Sequence, residues 1–442
     1  MGDDTIEFKP EITVLPETER GELHLVLSGD NAYGFDKSLV NAIRRVILTE
    51  IPSIAFNIYD NGENNDIIMV KNNTSLHNEM LFHRISMIPL YIKPDTYMKH
   101  YLFECKVKHD SENPYQFVTM NDVDIYPLKS GILERIEKFQ DESYDYPAED
   151  ERSLRDQLNT ISLDNYDMDP KNKLSQKDKD KIFRPFQFRN EKNYSLITEL
   201  KSTNSEDTYQ ELHFYGSPSI GIGKEHAKFQ GVSQSTYTFL QDEELIEETL
   251  KNRLICEGIT DEREIELFKN KFMLAESERY FHRDDFNEPN QYNFLIKSNH
   301  YYDSETLFKK SIALLIEKCE NLKLQCIEYL KEEESTVSVE KVKEYVYHYG
   351  LLNETHTLGN LIQSHITRRS INDTSILTSC GYKSPHPLEE NILLIVSLNP
   401  NHKLATSDEV QIIQGITTFL MGQFDEIMND LRKLYKVSEK TF

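Results

Sequence analysis

Two stretches of this chain, more than three hundred residues apart, carry the same phrase: "SLVNAIRRVIL" from Ser38 and "TLGNLIQSHIT" from Thr357. Each sets a hydroxyl residue before Leu, skips one position, places Asn, and puts Ile two further on. The first reads as a helix opening near Asp36, a fair N-cap, with Leu39, Ile43, Val46 and Ile47 on one face and Pro52 just past its end. The second reads as a helix with Leu358, Leu361, Ile362 and Ile366 turned inward. A helix with one apolar face needs a sheet or another helix to cover it, so a helix written twice predicts surroundings written twice.

The flanking segments follow that expectation. "GELHLVLSG" alternates Leu23, Leu25 and Leu27, and "KEYVYHYGLL" alternates Tyr345, Tyr347 and Tyr349, both strand patterns. After each helix comes a Pro-Leu step: "IPLYI" after a short second helix in the first half, and Pro387-Leu388 in the second. Strands follow, with Tyr292, Phe294 and Ile296 in one half and Ile392, Leu394, Val396 and Leu398 in the other. Each half then closes on a long helix. One carries Leu307, Ser311, Leu315, Cys319, Leu322, Cys326 and Tyr329 on one stripe. The other starts near Ser407, with Thr406 and Glu409 spaced as a capping box, and carries Ile413, Ile416, Leu420, Phe424, Ile427, Leu431 and Leu434 at near-heptad spacing. The predicted class is α+β, with two copies of one fold. The first copy spans 19–93 and 290–335, and the second 336–442. Between the two parts of the first lies a mainly β insert at 94–289, whose stretch 133–181 is crowded with charge and poor in apolar residues, the composition of solvated loops. The segment "LKEEESTVSVEKV" is expected to join the copies.

Composition limits the chemistry. The 442 residues carry 50 basic and 75 acidic side chains, a formal charge of −25, so the net field repels nucleic acid and any DNA contact has to be indirect. No long uncharged apolar run exists, which excludes a spanning helix, and the acidic start has no secretory core. Cys105, Cys256, Cys319, Cys326 and Cys380 form no Cys-x-x-Cys pair and read as buried reduced thiols. "GSPSIGIGKEH" fails the phosphate-loop pattern, because Pro218 stands where its first Gly belongs and Glu225 where its hydroxyl belongs; a tight glycine turn packed on a sheet is the expected use. Asp164, Asp167 and Asp169 lack the glycine and distal glutamate of a calcium loop. His356 and His365 are not at zinc spacing. No catalytic residue, metal site or cofactor site emerges.

At this point the residues resemble a family. "SLVNAIRRVILTEIPSIAF" followed by "NNTSLHNEMLFHRISMIPL" resembles the alpha-like assembly subunits of cellular RNA polymerases, in particular the third-largest subunit of RNA polymerase II and its archaeal and polymerase I/III relatives. "SIGIGKEHAKFQGVSQSTYTF" resembles their insert-domain signature. "NETHTLGNLIQSHITRR" with "GYKSPHPLEENILLIV" resembles the small eleventh subunit. The zinc-binding cysteines of some relatives are missing here, so no metal is carried over.

The resemblance implies a non-catalytic subunit of a DNA-directed RNA polymerase, with two dimerisation folds forming an internal pseudo-dimer. Leu39, Ile43, Ile47, Leu315, Leu322, Leu358, Ile362, Leu420, Phe424, Ile427 and Leu431 would make the internal interface. The partners implied are the largest and second-largest subunits and smaller polymerase subunits, with no membrane. Asn41, Arg44, Arg45 and Arg84 would meet the second-largest subunit. His356, Gly359, Asn360 and the turn containing Tyr382, Pro385 and His386 would face the largest, Gly359 allowing a close backbone approach. Both folds in one chain resemble the arrangement in large nucleocytoplasmic DNA viruses. That implies a site of action in a cytoplasmic virus factory or the nucleus, with packaging in the virion as a further option. The alternative is a mimic of the host subunit pair that binds host polymerase.

Overall fold

The computed structural model describes residues 8–16, 21–29, 35–58, 65–109, 113–139, 152, 154, 157–158, 161–202, 209–284, 287–299, 301–371 and 374–442. The chain divides into two compact units. One comprises Met1–Leu48, Val232–Ser298 and Asp303–Phe442, and the other Thr49–Gly231 with Asn299–Tyr302.

In the first unit the written repeat becomes a repeated topology. Its strands are β1 (Pro10–Leu15), β2 (Glu22–Gly29), β3 (Val232–Phe239), β4 (Tyr292–Ser298), β5 (Val337–Lys343), β6 (Val346–Leu352), β7 (Leu377–Lys383) and β8 (Asn391–Leu398). Two four-stranded sheets form, in the orders β1-β2-β4-β3 and β5-β6-β8-β7, antiparallel throughout. Central β2 pairs Leu27 with Ile12 on one side and with Tyr292 on the other. Its counterpart β6 pairs Leu351 with Val337 and with Ile392. The alternations do what the sequence asks: Leu23, Leu25 and Leu27 are buried, as are Tyr347, Tyr349 and Leu351, and Ile392, Leu394, Val396 and Leu398. Tyr345 is the exception; it sits at φ 67° in the β5–β6 turn.

The third strand of the first sheet corrects the sequence reading. It is Val232–Phe239, beyond the insertion, and not "IPLYI". Ile88, Leu90 and Ile92 are buried, but the segment joins no ladder, and the Tyr91 N–H donates to the Ile182 carbonyl at 2.9 Å. Alternation reports which side of an extended chain is buried; an isolated strap and a sheet strand give the same signal.

The helices of this unit are α1 (Lys37–Thr49), α2 (Glu243–Glu257), α3 (Glu262–Ala275), α4 (Ser304–Leu330), α5 (His356–Arg369) and α6 (Glu409–Thr441). Asp36 caps α1 as expected, its carboxylate accepting the Leu39 N–H at 2.8 Å. The capping box before the last helix does not form. Asp408 holds the N-cap position with no side-chain bond, and the Thr406 hydroxyl donates back to the Lys403 carbonyl at 2.9 Å. Helices α4 and α6 pack along each other, with Lys323 Nζ 2.7 Å from Asp425 and Phe308 edge-on to Phe442. Phe308 opens α4 and Phe442 follows the end of α6, so the pair is antiparallel. Helix α6 also rests on β1 of the first copy and on α5, while α4 rests on β2, β4 and β5. Each long helix therefore touches both copies.

The second half of the expected joining segment is strand β5, leaving only residues 331–336 as the connection. That turn is pinned: Gln325 Oε1 accepts the Thr336 N–H at 2.8 Å, the Ser335 hydroxyl donates to the Gln325 carbonyl at 2.7 Å, and Glu332 takes a φ of 61°.

The second unit holds a four-stranded sheet in the order Ile67–Asn72, Glu211–Gly216, Tyr101–Lys108, Val123–Pro127. Its core includes Phe56, Leu81, Ile85, Phe103, Ile125, Leu200 and Phe214. Thus the insert begins at Thr49 and ends at Gly231, where the sequence reading set 94–289. Helix Asn78–Ser86 buries Leu81 and Ile85 in this core, and 240–289 belongs to the first unit. The charged stretch is also less open than its composition suggests. Ile136, Leu154, Leu158 and Tyr166 close a small core with Leu102, Tyr126 and Leu128. Gly221 serves packing: a Cβ there would lie 2.5 Å from the Phe229 ring. No helix among the described residues is long and apolar enough to cross a membrane.

Candidate docking faces and internal interface

Where the two copies meet, polar groups surround a cavity of about 50 Å³, enough for a water or two. Leu39 from α1, Leu361 from α5, and Ile427 and Leu431 from α6 form its apolar lining, with Phe8. Phe8 lies edge-on to Phe35 at 5.6 Å and under the Arg369 guanidinium at 5.8 Å. The Asp36 carboxylate that caps α1 also accepts the Ser364 hydroxyl of α5 at 2.6 Å. One carboxylate thus starts a helix in one copy and holds the matching helix of the other.

Charge extends the same contact. Arg368 Nη1 donates to Asp284 at 2.8 Å, tying α5 to the β3–β4 connection, and Lys37 reaches Glu288 of that connection at 2.6 Å. Arg369 pairs with Asp430 of α6. His365 Nε2 lies 3.3 Å from Glu426, and this hydrogen bond holds the Glu426 carboxyl below its ordinary range despite partial desolvation. Sequence reading missed Asp36 in its second role, and also Ser364, Arg368 and Asp284. The one available signal was the "TRR" ending of α5, which a helix C-terminus also explains.

The expected interface residues are buried throughout: Leu39, Ile43, Ile47, Leu315, Leu322, Leu358, Ile362, Leu420, Phe424, Ile427 and Leu431. The expected docking residues separate. Asn41, Arg44 and Arg45 are half-exposed on the outer side of α1, and Asn41 Oδ1 accepts from Arg44 Nε at 3.0 Å and Nη2 at 2.8 Å, fixing the guanidinium one turn on. Pro385 and His386 are exposed, His356 is exposed with its ring 5.7 Å from Tyr382, and Asn360 is half-buried. Arg84 lies in the second unit, where it donates to the Ile197 and Leu196 carbonyls at 2.9 and 3.2 Å and braces a strand.

Gly359 is buried, and its role is corrected. A Cβ there would lie 2.8 Å from Tyr382 Cδ2 and 2.9 Å from Ile392 Cδ1, so the missing side chain makes room for side chains of its own sheet. Gly359→Ala is expected to gain about 1 kcal/mol of helix propensity and to lose about 2 kcal/mol by overpacking, a net loss of about 1 kcal/mol in urea unfolding. A stabilised variant would mean that Tyr382 simply gives way.

Cys105, Cys319, Cys326 and Cys380 are buried, and burial pushes each thiol up to about 12. Cys256 departs from the expectation of burial; it is exposed at the end of α2. Mass spectrometry after brief alkylation at pH 8 should find Cys256 alone modified in the native chain, and all five cysteines after unfolding. Native labelling of a second cysteine would contradict this packing. Asp167 and Asp169 accept bonds within their own turn, from Asn172 and the Lys171 N–H, at 2.7 and 2.9 Å.

Comparison with known proteins falls onto these two copies. The family profile described as "RNA polymerase Rpb3/Rpb11 dimerisation domain" matches residues 32–319, and a second profile of the same description matches 347–430. Human "DNA-directed RNA polymerases I and III subunit RPAC1" is 27% identical over 221 residues, 48% of this chain and 51% of that protein. "DNA-directed RNA polymerase subunit Rpo3" of Pyrobaculum aerophilum is 42% identical over 73 residues, 16% of this chain and 24% of its own length. "DNA-directed RNA polymerase II subunit rpb11" of Dictyostelium discoideum is 31% identical over 81 residues, 18% of this chain and 59% of its own length. The chain therefore spans about half the length of the human relative and less of the archaeal one. With two such matches lying on two sheets of one strand order, the chain belongs to the RNA polymerase Rpb3/Rpb11 dimerisation-domain family.

Proposed function

We propose that this chain is a non-catalytic assembly subunit of a multisubunit DNA-directed RNA polymerase, supplying both halves of an alpha-like pair from one polypeptide. The observation that carries this reading is the first unit: two sheets of identical strand order, joined by long helices that each touch both copies. The docking set is Asn41, Arg44 and Arg45 toward the second-largest subunit, and His356, Asn360, Tyr382, Pro385 and His386 toward the largest. Arg84 and Gly359 drop out, since both serve internal packing. Catalysis and nucleic acid are assigned to the large subunits, in keeping with the −25 charge of this chain. The joined pair further suggests a virus-encoded enzyme acting in a cytoplasmic factory or the nucleus.

Tagged purification from cells in which the chain is naturally made tests this. Two very large subunits and template-dependent RNA synthesis are expected. Arg44→Glu with Arg45→Glu should cut recovery of the second-largest subunit at least about tenfold, as reversal of interface arginines does, while leaving the circular dichroism spectrum unchanged. Unchanged recovery would remove α1 from the interface, and recovery of host large subunits would replace a viral enzyme with a host mimic.

A further inference from the structure

An edge strand presents unpaired N–H and C=O groups that can bond a further strand, and proteins guard such edges with charge or proline. Among the described residues the two sheets of the first unit end on β1, β3, β5 and β7. Strand β1 carries Pro10 and Glu11, β5 carries Glu340, Lys341 and Lys343, and β7 carries Lys383. Strand β3 has no such guard: "VSQSTYTFLQ", from Val232 to Gln241, contains no charge and no proline. Its Thr, Tyr and Phe residues favour an extended chain.

One hydrogen bond fixes which groups of β3 face outward. The Leu240 N–H donates to the Gln291 carbonyl at 3.0 Å, on the side of β4. Bonding direction alternates along an antiparallel strand, so Tyr237 and Phe239 turn their N–H and C=O toward the sheet edge.

Beside that edge lies a cavity of about 530 Å³, within the range of ligand pockets. Tyr237, Phe239 and Leu240 line it, and its charged lining is Glu243, which opens α2, and Glu278, which follows α3. Among the described residues no basic side chain lines it. The cations nearby are engaged elsewhere: Arg253 lies 2.7 Å from Glu276, His282 lies 3.8 Å from Asp242, and Arg283 donates to Asn287 at 2.7 Å. Arg279 is exposed, and its charge acts on Glu276. The edge thus selects an extended backbone, and the cavity beside it selects a cation.

We propose that β3 receives an extended segment of another protein of the assembly, which adds a strand to the sheet and places an arginine or lysine in the cavity against Glu243 and Glu278. Backbone bonds to Tyr237 and Phe239 supply affinity for any strand, and the two carboxylates choose a basic one. A second copy of this chain would bring a formal charge of −25 to a chain of the same charge, which disfavours it as the donor. The proposal rests on the polymerase-subunit reading for where the partner is found. The chemistry of the edge is independent of it.

Two measurements test the edge. In the first, a short peptide of alternating Thr and Val with one central Arg is titrated onto the full-length chain, and saturable binding is expected. Replacing that Arg by Glu, N-methylating the peptide's backbone amides, or changing the chain by Glu243→Gln with Glu278→Gln should each weaken binding at least about tenfold. Absence of binding, or equal binding after any of the three changes, overturns the proposal. Equally tight binding of arginine amide alone would give the cavity to a small cation and also overturn it. In the second, amide hydrogen exchange at Tyr237 and Phe239 is compared between the free chain and the purified polymerase. A slowing of about tenfold or more is expected. Unchanged exchange in a preparation that contains both large subunits overturns the added strand and leaves the assembly reading intact. A chain recovered without large subunits overturns the assembly reading, and the peptide titration still decides the edge. Concentration-dependent protection of these amides in the free chain would give the edge to a second copy and overturn the proposal.

Discussion

Arg368→Ala should destabilise the first unit by about 3 kcal/mol, the lower end of what removing one partner of a buried ion pair costs. The Asp284 side chain is 1% exposed, and Arg368 brings it a cation at 2.8 Å from a helix of the other copy. Without that guanidinium the carboxylate keeps the Glu288 N–H at 2.9 Å but loses its facing charge. The expected readout is a lower urea midpoint with an unchanged slope. Asp284→Ala alone should also destabilise, and the double variant should recover a coupling of about 2 kcal/mol. A coupling near zero would mean that the pair is incidental and that apolar contacts alone hold α5 against the β3–β4 connection.

That contact shows where sequence reading stopped. Strand β2, helix α1 and strand β8 were legible because each repeats apolar residues at its own period, and the stripes of α4 and α6 were legible for the same reason. Identifying β3 failed because "IPLYI" alternates as well as any strand, and nothing local says whether an extended segment has a neighbour to bond. The unit boundary failed similarly: Leu81 and Ile85 mark a buried helix face without saying which core buries it. Among docking residues, Arg44 and Arg84 look alike in sequence, yet one is clamped by Asn41 on an outer helix face and the other braces a strand. Asp36 with Ser364 and Arg368 with Asp284 are separated by 328 and 84 residues, and a single sequence carries no signal that pairs them.

Cutting the chain between Glu333 and Glu334 should have the largest effect of any change short of unfolding, because residues 331–336 are the only covalent link between the copies. Leu420, Phe424, Ile427 and Leu431 of α6 and Leu315, Cys319 and Leu322 of α4 are buried in a chain where each long helix touches both copies. Either fragment alone would expose part of these stripes, so each is expected to aggregate or to lack a cooperative transition when expressed singly. Coexpressed, the fragments should pair. A short tether gives an effective concentration around 1 mM, so at about 1 µM of each fragment pairing loses a factor of about a thousand, or about 4 kcal/mol. The melting temperature of the pair should rise with concentration, whereas that of the intact chain should not. Gln325→Ala tests whether the pinned turn adds to simple connection. It removes the acceptor for the Thr336 N–H and hydroxyl and should cost the intact chain about 1 kcal/mol, with no concentration dependence. A monodisperse second copy with a cooperative melt of its own would show that the halves are independent domains, and the tether would then set only their stoichiometry.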